Sequence, residues 1–268
     1  AAQPLVRLSY EMPIETFDTN IMGSAHVLNA IRHLGTACVT LIITTDKVYE
    51  NREWVYPYRE DDPLGGYDPY SASKAAAEIV CSSFRNSFFN LSNYANHQKA
   101  IAIARAGNVI GGGDWAKDRI IPDLVRAFSK NEPLTVRNPN AVRPWQHVLE
   151  PIGGYLLLAA NLQVSPIEYS SAWNFGPLSE DTMAVKELTA IAKEIWGSGE
   201  VHLSFSENQL HEARLLKLDI SKANSYLGWF PKYRSEESIR ITIDWYKEKL
   251  SGKTARELVE DQIKAYIS

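Results

Sequence analysis

The chain has 268 residues, of which 45% are hydrophobic and 22% charged, a composition typical of a globular protein with one sizeable core. A formal net charge of −4 provides no basic surface for nucleic acid, and the longest apolar run, Tyr155 to Ala160, is far too short to cross a bilayer. Two cysteines are too few for a disulfide framework, so we expect reduced thiols in a cytoplasmic protein.

Helical and strand patterns alternate through the first part of the chain. Apolar residues at helical spacing predict a helix over residues 14–34, and a β-branched run over 38–44 predicts a strand covered on both faces. The next segments are a long loop over 50–69, a helix over 70–88, a strand over 100–105 and a glycine-rich turn over 107–113. This order predicts the α/β class, with parallel βαβ units in a doubly wound, Rossmann-type sheet.

The pattern is looser from Asp114 onward. It predicts helices over 120–129, 148–162, 184–196 and 236–250, short strands over 134–136 and 172–175, and a surface helix over 254–268. We interpret residues 114–268 as mainly a smaller, C-terminal substrate-binding lobe that is partly interleaved with the sheet of residues 1–113. Ligands of a parallel sheet bind beyond the carboxyl ends of its strands, where the segments 44–47 and 106–113 fall.

The most informative motif is Tyr70-Ser-Ala-Ser-Lys74. Residues four apart on a helix lie on one face, so the phenol and the ammonium are neighbours. The ammonium favours the phenolate, which can then take a hydroxyl proton while a cofactor takes the hydride. The motif alone is common on helix surfaces, but its position after a strand and a long loop favours a catalytic role.

The ordered motifs make the chain recognisable. Thr44-Thr-Asp-Lys-Val-Tyr49 and Pro69-Tyr-Ser-Ala-Ser-Lys74 resemble the extended short-chain dehydrogenase/reductase family. Further stretches resemble its CDP-glucose 4,6-dehydratases in particular: residues 1–7, 51–54, 65–70, 105–115, 143–151, 173–177 and 217–219. The resemblance covers nearly the whole chain and fades after about residue 250.

The resemblance implies a reaction in three steps at one site, with NAD as cofactor. Glucose is oxidised at C4, water is lost across C5 and C6, and the hydride returns to C6. By position, Tyr70 is the base at the C4 hydroxyl, Lys74 tunes it and holds the nicotinamide ribose, Thr45 bonds the C4 oxygen, and Asp46 protonates the departing C6 hydroxyl. Asp46 could instead be a turn-forming residue at the end of a strand.

Lys47 departs from the dTDP-glucose dehydratases, which carry Glu here as the base at C5. An ammonium cannot remove that proton unless burial makes it neutral. The CDP-glucose branch has Lys at this place, so the residue fits the resemblance. It leaves two roles open, a neutral base or a group that stabilises the developing enolate.

Position in the family also indicates which residues bind the ligands. Ala1, Ala2 and Thr44 join Tyr70 and Lys74 against the cofactor. Asn108, Arg119, Arg143 and Asn174 are the candidates for the nucleotide sugar, since guanidinium suits anion binding. His147 and His211 lack ligand-like spacing, so we expect no metal.

No glycine-rich dinucleotide fingerprint stands after a strand in this sequence. We therefore expect that the N-terminal half of the NAD-binding domain is absent, and that the fragment alone binds NAD poorly. The alternatives are another nucleotide-sugar 4,6-dehydratase, a 4-epimerase or decarboxylase of the same family, or a non-catalytic protein that kept the fold. The resemblance further implies a homodimer, built through the helices over 14–34 and 70–88, and a place in deoxysugar synthesis for surface polysaccharide such as O-antigen.

Overall fold

The computed structural model describes residues 2–204 and 215–268. No helix within these two ranges is both long and apolar enough to cross a membrane. Both cysteines are free; Cys81 is buried and Cys38 is only partly buried.

Eleven α-helices lie within the described residues. They are α1 Val6–Glu11, α2 Pro13–Phe17, α3 Gly23–Arg32, α4 Pro69–Ser87, α5 Tyr94–His97, α6 Ile120–Ser129, α7 Leu149–Val164, α8 Pro166–Tyr169, α9 Val185–Trp196, α10 Ser235–Leu250 and α11 Ala255–Ile267. Two π-helical turns, Asp18–Met22 and Ala223–Leu227, and two 3₁₀ turns, Asp46–Val48 and Leu91–Asn93, add to them.

Nine strands lie in the same residues. They are β1 Cys38–Ile43, β2 Lys99–Ala106, β3 Val109–Ile110, β4 Leu134–Val136, β5 Val142–Arg143, β6 Gln146–His147, β7 Ala172–Phe175, β8 Met183–Ala184 and β9 Val201–Leu203. The predicted α/β class is confirmed, because β1, β2 and β7 form a parallel sheet flanked by helices.

The chain divides into two compact units. The first comprises Ala1–Gly107, Gly153–Phe175 and Leu218–Phe230, and the second comprises Asn108–Ile152, Gly176–Lys217 and Pro231–Ser268. Each unit is therefore discontinuous in sequence. The domain boundary at residues 113 and 114 stays a prediction.

The sheet of the first unit has the order β1-β2-β7, and all its strands are parallel. All eight residues of β2 are buried, as the apolar run predicts for a strand between two neighbours. Leu28 and Ile31 of α3 and Cys81 of α4 pack with Ile101 and Ile103 of β2 in the core on one face. This packing fixes α4 against the sheet.

The helix predicted over residues 14–34 is wrong in one respect. The region is helical, but the π turn Asp18–Met22 separates α2 from α3, and α3 ends at Arg32. Hydrophobic spacing cannot reveal this insertion, because one π turn shifts the pattern by only a single residue. The short helix α1 and most of the two- and three-residue strands were also not predicted.

The second unit is built from helices and three two-stranded ribbons. Strand β3 pairs with β6 and β4 with β9 in parallel, whereas β5 pairs with β8 antiparallel. Its core contains Leu124 and Phe128 of α6, Leu188 of α9, and Ile243 and Tyr246 of α10. The helices predicted here are confirmed to within a few residues.

Candidate active site

The carboxyl end of β1 carries three of the predicted catalytic residues in one short turn. Thr45 begins the 3₁₀ turn Asp46–Val48, where its side-chain oxygen accepts the backbone N–H of Lys47. The Thr45 hydroxyl donates to Asp46 Oδ1 at 2.9 Å, and Lys47 Nζ lies 3.6 Å from the same oxygen. Asp46 is only 1% exposed. The turn therefore holds a buried carboxylate between a hydroxyl and an ammonium.

The start of α4 is fixed by its capping residue. Asp68 accepts the backbone N–H of Ser71 at 2.9 Å, and Pro69 supplies a first residue whose backbone already suits a helix. Gly66 precedes the cap with φ of +131°, and a Cβ there would collide with the backbone of Ala72. Tyr70, which follows Pro69, is buried, and its backbone N–H donates to the hydroxyl of Ser9, 3.1 Å away. The predicted base thus stands on a helix end that several groups hold in place.

Lys74 joins α4 to the end of β1. Its ammonium donates to the backbone oxygen of Ile43 at 3.2 Å, the residue directly before Thr44. Burial lowers the pKa of Lys74, and the nearby carboxylate of Glu78 opposes that shift. Helix α4 also packs against the 3₁₀ turn that contains Asp46. The five predicted catalytic residues, Thr45, Asp46, Lys47, Tyr70 and Lys74, therefore lie on two elements of the first unit that pack against each other.

The predicted cofactor-binding segment at the start of the chain lies beside the same helix. Ala1 is outside the described residues, and Ala2 is exposed. Gln3 is anchored by the buried side chain of Asn20, which accepts its N–H at 2.9 Å and donates to its carbonyl at 3.0 Å. Asn20 also donates to the hydroxyl of Ser73, at 2.8 Å. Asn20 lies within the π turn and is 3% exposed, so this buried side chain links the start of the chain to α4.

A buried hydrogen-bonded chain, which sequence reasoning missed, runs behind these residues. The Thr44 hydroxyl donates to Glu78 Oε1 at 2.5 Å, and Arg105 pairs with both oxygens of Glu78, at 2.5 Å to the nearer one. Arg105 also donates to the hydroxyl of Tyr49 at 2.7 Å, which donates in turn to Asn174 Oδ1 at 2.7 Å. Glu78 stands four residues after Lys74, and that spacing is the one signal in the sequence that could have found it.

Asn174, predicted to contact the nucleotide, is fully buried within this chain of hydrogen bonds. Its amide nitrogen donates to the carbonyls of Tyr58 and Asp219, at 3.0 and 3.2 Å. These bonds join the long loop after β1, strand β7 and the segment from Leu218. The geometry indicates that Asn174 holds the binding loops, and its contact with nucleotide stays a prediction.

The other three predicted substrate residues lie in the second unit. Asn108 directly precedes β3, and its buried Oδ1 has no hydrogen-bond partner among the described residues. Arg119, just before α6, donates to Asp114 at 2.8 Å. Arg143 of β5 is 7% exposed, and its guanidinium donates to the carbonyl of Val142. The structure tests none of their ligand contacts.

His147 is a buried core residue. It is completely inaccessible to solvent, and burial lowers its pKa to about 4. Its ring packs edge-on against Tyr233, and Nδ1 accepts the backbone N–H of Leu149 at 3.4 Å. Within residues 2–204 and 215–268, no three His, Cys, Asp or Glu side chains are grouped as metal ligands. His211 lies outside the described residues, and the expectation of no metal stays a prediction.

Comparisons with known proteins give the context of this geometry. The chain is 50% identical over all of its 268 residues to CDP-glucose 4,6-dehydratase of Salmonella typhimurium (strain LT2), of which it spans 75%. It is 27% identical over 245 residues to UDP-glucuronic acid decarboxylase 6 of Arabidopsis thaliana, covering 89% of this chain and 65% of that protein.

Solved structures show the same fold. The UDP-glucuronic acid 4-epimerase from Bacillus cereus, in complex with UDP-glucuronic acid and NAD, superposes with a TM-score of 0.78 at 21% identity. The match covers 93% of this chain and 74% of the epimerase. At this identity the likeness establishes the fold and leaves the reaction to the site residues.

The sequence profile of one family, described as GDP-mannose 4,6 dehydratase, matches residues 1–242. That range includes β1, the turn Asp46–Val48 that follows it, and the start of α4. The 50% identity to a nucleotide-sugar 4,6-dehydratase extends beyond it to the end of the chain. This chain therefore belongs to the GDP-mannose 4,6 dehydratase family.

Proposed function

We propose that this chain carries the catalytic residues of an NAD-dependent hydro-lyase that converts CDP-glucose to CDP-4-keto-6-deoxyglucose. The observation that carries the proposal is the packing of α4, with Tyr70 and Lys74, against the turn Asp46–Val48 at the carboxyl end of β1. That arrangement brings a phenol, an ammonium, a hydroxyl and a carboxylate to one edge of a parallel sheet. The similarity to the Salmonella enzyme selects CDP-glucose as substrate.

The residues present fit a nicotinamide cofactor. Among the described residues, the Lys74 ammonium has one hydrogen-bond partner, the carbonyl of Ile43, which leaves two of its three N–H groups for the hydroxyls of a ribose. Thr44 lies at the same edge of the sheet, where its N–H donates to the carbonyl of Ala104, and Ala2 is exposed beside the anchored Gln3. When bound, NAD+ supplies hydride acceptance and return.

Tyr70 and Lys74 act on the C4 hydroxyl. The Tyr70 phenolate, which the neighbouring ammonium stabilises, takes the proton that leaves the C4 oxygen and becomes the neutral phenol. The capped start of α4 fixes the position of the phenol, since Asp68 holds the first turn and Ser9 binds the N–H of Tyr70. The proton returns to the sugar at the end of the cycle, so the pair is regenerated.

Thr45 and Asp46 serve the oxygens at C4 and C6. The Thr45 hydroxyl, which donates to Asp46, turns to the C4 oxygen when the sugar binds. Asp46 then loses one partner, takes the proton that leaves C5 and delivers it to the departing C6 hydroxyl, so that the C5–H and C6–O bonds break and one water is released. Once C4 is a ketone the C5 proton is acidic, so elimination follows oxidation.

Lys47 stabilises negative charge in this scheme. Its ammonium lies 3.6 Å from Asp46 Oδ1, an arrangement of a charged amine beside a carboxylate. Of the two roles left open by the sequence, this ion pair favours stabilisation of the enolate over proton removal by a neutral amine. Lys47→Gln should then lower kcat and leave the pH dependence of elimination unchanged.

Asn108, Arg119 and Arg143 bind the nucleotide diphosphate in this proposal. A half-turn of the Asn108 amide replaces its unpartnered oxygen by an NH₂ group that donates to a phosphate oxygen. Arg119 exchanges Asp114 for phosphate, and Arg143 exchanges protein partners, among them the carbonyl of Val142, for phosphate.

The test uses the full-length protein, including any residues that precede Ala1, with NAD+ and a panel of nucleoside diphosphate glucoses. The 4-keto-6-deoxy product is followed by its alkaline absorbance and by the mass loss of one water. Turnover of CDP-glucose that disappears in Tyr70→Phe and collapses in Asp46→Asn supports the proposal. Inversion at C4 without water loss would identify an epimerase. Turnover of a different nucleoside diphosphate glucose in place of CDP-glucose would show that the site prefers another nucleotide.

We also propose a cytoplasmic homodimer, in which a second copy covers α3 and α4. Large apolar side chains on these helices face solvent, with exposed fractions of 51% for Val27 and 60% for Ile79. The two free thiols, Cys38 and Cys81, suit a reducing compartment. Light scattering should give twice the chain mass, and Ile79→Glu should give a monomer. A dimer that survives this change would place the interface elsewhere.

A further inference from the structure

We infer that Glu78 is a positioning residue for the active site: it holds Thr44 at the end of β1 and stands one helical turn from Lys74 on the same face of α4. The inference rests on the proposed function, because it assigns a task to Glu78 within the same site. Neither the motif Tyr70-Ser-Ala-Ser-Lys74 nor the catalytic turn includes this residue.

Three contacts place Glu78 between the site and the core. Its Oε1 accepts the hydroxyl of Thr44 at 2.5 Å, and both oxygens bind the guanidinium of Arg105 on β2. Glu78 is 2% exposed and Arg105 is 3% exposed, so solvent screens this ion pair very little. Thr44 is the last residue before the catalytic Thr45. The pair therefore ties the end of β1 to α4 and β2 at once.

The second effect of Glu78 is electrostatic. Lys74 and Glu78 are four residues apart on α4, which places their side chains one turn apart on the same face. Burial lowers the pKa of Lys74, and the carboxylate of Glu78 is the charged group that opposes this shift. Without Glu78, the ammonium that stabilises the Tyr70 phenolate would lose its proton at a lower pH.

Other charged groups near Glu78 do not replace it at Lys74. Glu78 also acts on Arg105, Cys81 and Arg85, which lie across the sheet or further along the helix. None of these three contributes to the pKa of Lys74. The carboxylate of Glu60 interacts with Arg105 as well, but it too has no effect on Lys74. Glu60 is therefore a matched control.

The experiment compares Glu78→Gln with Glu60→Gln in the full-length protein. Glu60→Gln is the same chemical change at another residue of the first unit. It weakens the hydrogen bond that Glu60 accepts from the Asn174 N–H, and it removes a charge that interacts with Arg105. The pKa of Lys74 is measured without substrate, by competitive labelling of amines with acetic anhydride across a pH series and mass spectrometry of the peptide. The pH profile of kcat/KM for CDP-glucose is measured alongside.

For Glu78→Gln we expect a lower pKa for Lys74 and an alkaline limb of kcat/KM that moves to lower pH. We also expect a loss of about ten- to a hundredfold in kcat with little change in KM, because Thr44 and Lys74 are displaced from the reacting geometry. Glu60→Gln should leave the labelling curve of Lys74 where it is in the parent protein. Glu78→Asp, which keeps the charge, should leave the labelling curve of Lys74 close to that of the parent protein.

Removal of Glu78 alone leaves a buried, unpaired Arg105, which can prevent folding. The double variant Glu78→Gln/Arg105→Gln removes both charges and keeps the test available, because it leaves no unpaired charge in the core. An unchanged labelling curve in a folded single or double variant would overturn the inference. A shifted curve in a protein that turns over no nucleotide sugar would support the inference and refute the proposed function instead.

Discussion

His147 makes a specific contribution to the pH dependence of stability. Its imidazole is completely buried, and burial lowers its pKa from 6.5 to about 4. The unfolded chain therefore binds a proton below about pH 6.5 that the folded protein does not bind until about pH 4. The sign follows directly: stability from this residue is complete above the unfolded pKa and is lost as the pH falls toward the folded pKa.

The size of the effect follows from the same two values. The full difference of 6.5 − 4 is equivalent to about 3.4 kcal/mol, of which about 2 kcal/mol is lost between about pH 7.5 and about pH 5. The perturbation is His147→Asn, because the Asn oxygen can still accept the N–H of Leu149 that Nδ1 now accepts. Comparing each protein with itself at the two pH values cancels the cost of the smaller side chain.

Urea unfolding followed by tryptophan fluorescence is the assay. The parent protein should lose about 2 kcal/mol more than His147→Asn over this pH interval. His202→Asn is the control, because the side chain of His202 is 56% exposed and remains accessible on unfolding. Equal pH dependence in the parent and in His147→Asn would refute the reasoning.

Two further predictions concern the start of α4. Asp68→Ala removes the cap of α4 and should lower the free energy of unfolding by about 1 kcal/mol and also lower kcat, whereas Thr254→Ala, which uncaps α11, should lower stability by a similar amount and leave kcat unchanged. Urea unfolding measures the stability of both variants and initial rates measure their kcat. Equal rates in the two variants would contradict a role for the cap in placing Tyr70. Gly66→Ala should abolish soluble expression or cost at least about 2 kcal/mol, because φ is +131° and the added Cβ meets the backbone of Ala72. Gly197→Ala is the control, because Gly197 also has a positive φ, of +91°, but has open space around it, so the substitution should lower stability by only about 1 kcal/mol. Equal losses of thermal stability in the two variants would contradict a collision at position 66.

Local patterns predicted the parts of the fold that depend on local physics. The run Cys38–Ile43 has too little polarity for an exposed strand, and the Asp68-Pro69 pair marks the start of a helix. The catalytic turn and the Tyr70 to Lys74 spacing were visible for the same reason, since both are defined within a few residues. The fold class was therefore predicted correctly from the order of these elements.

Features that depend on distant partners could not be predicted in this way. The π turn Asp18–Met22 looks like ordinary helix in the sequence. The structural role of Asn20 is visible only from its hydrogen bonds to Gln3 and Ser73. Asn174 was expected at the nucleotide, but the structure engages its amide in bonds to protein groups.

The sequence by itself determined that Thr45-Asp46-Lys47 follows the carboxyl end of β1 and that Tyr70 and Lys74 share a helix face, because backbone periodicity and capping act over a few residues. The tertiary structure alone decided what surrounds them. Tyr49 and Asn174 are 125 positions apart in the chain yet share a hydrogen bond, and the Glu78 to Arg105 pair exists only because β2 packs beside α4. Buried polar groups must find partners wherever folding brings them, so such partners are set by packing in space.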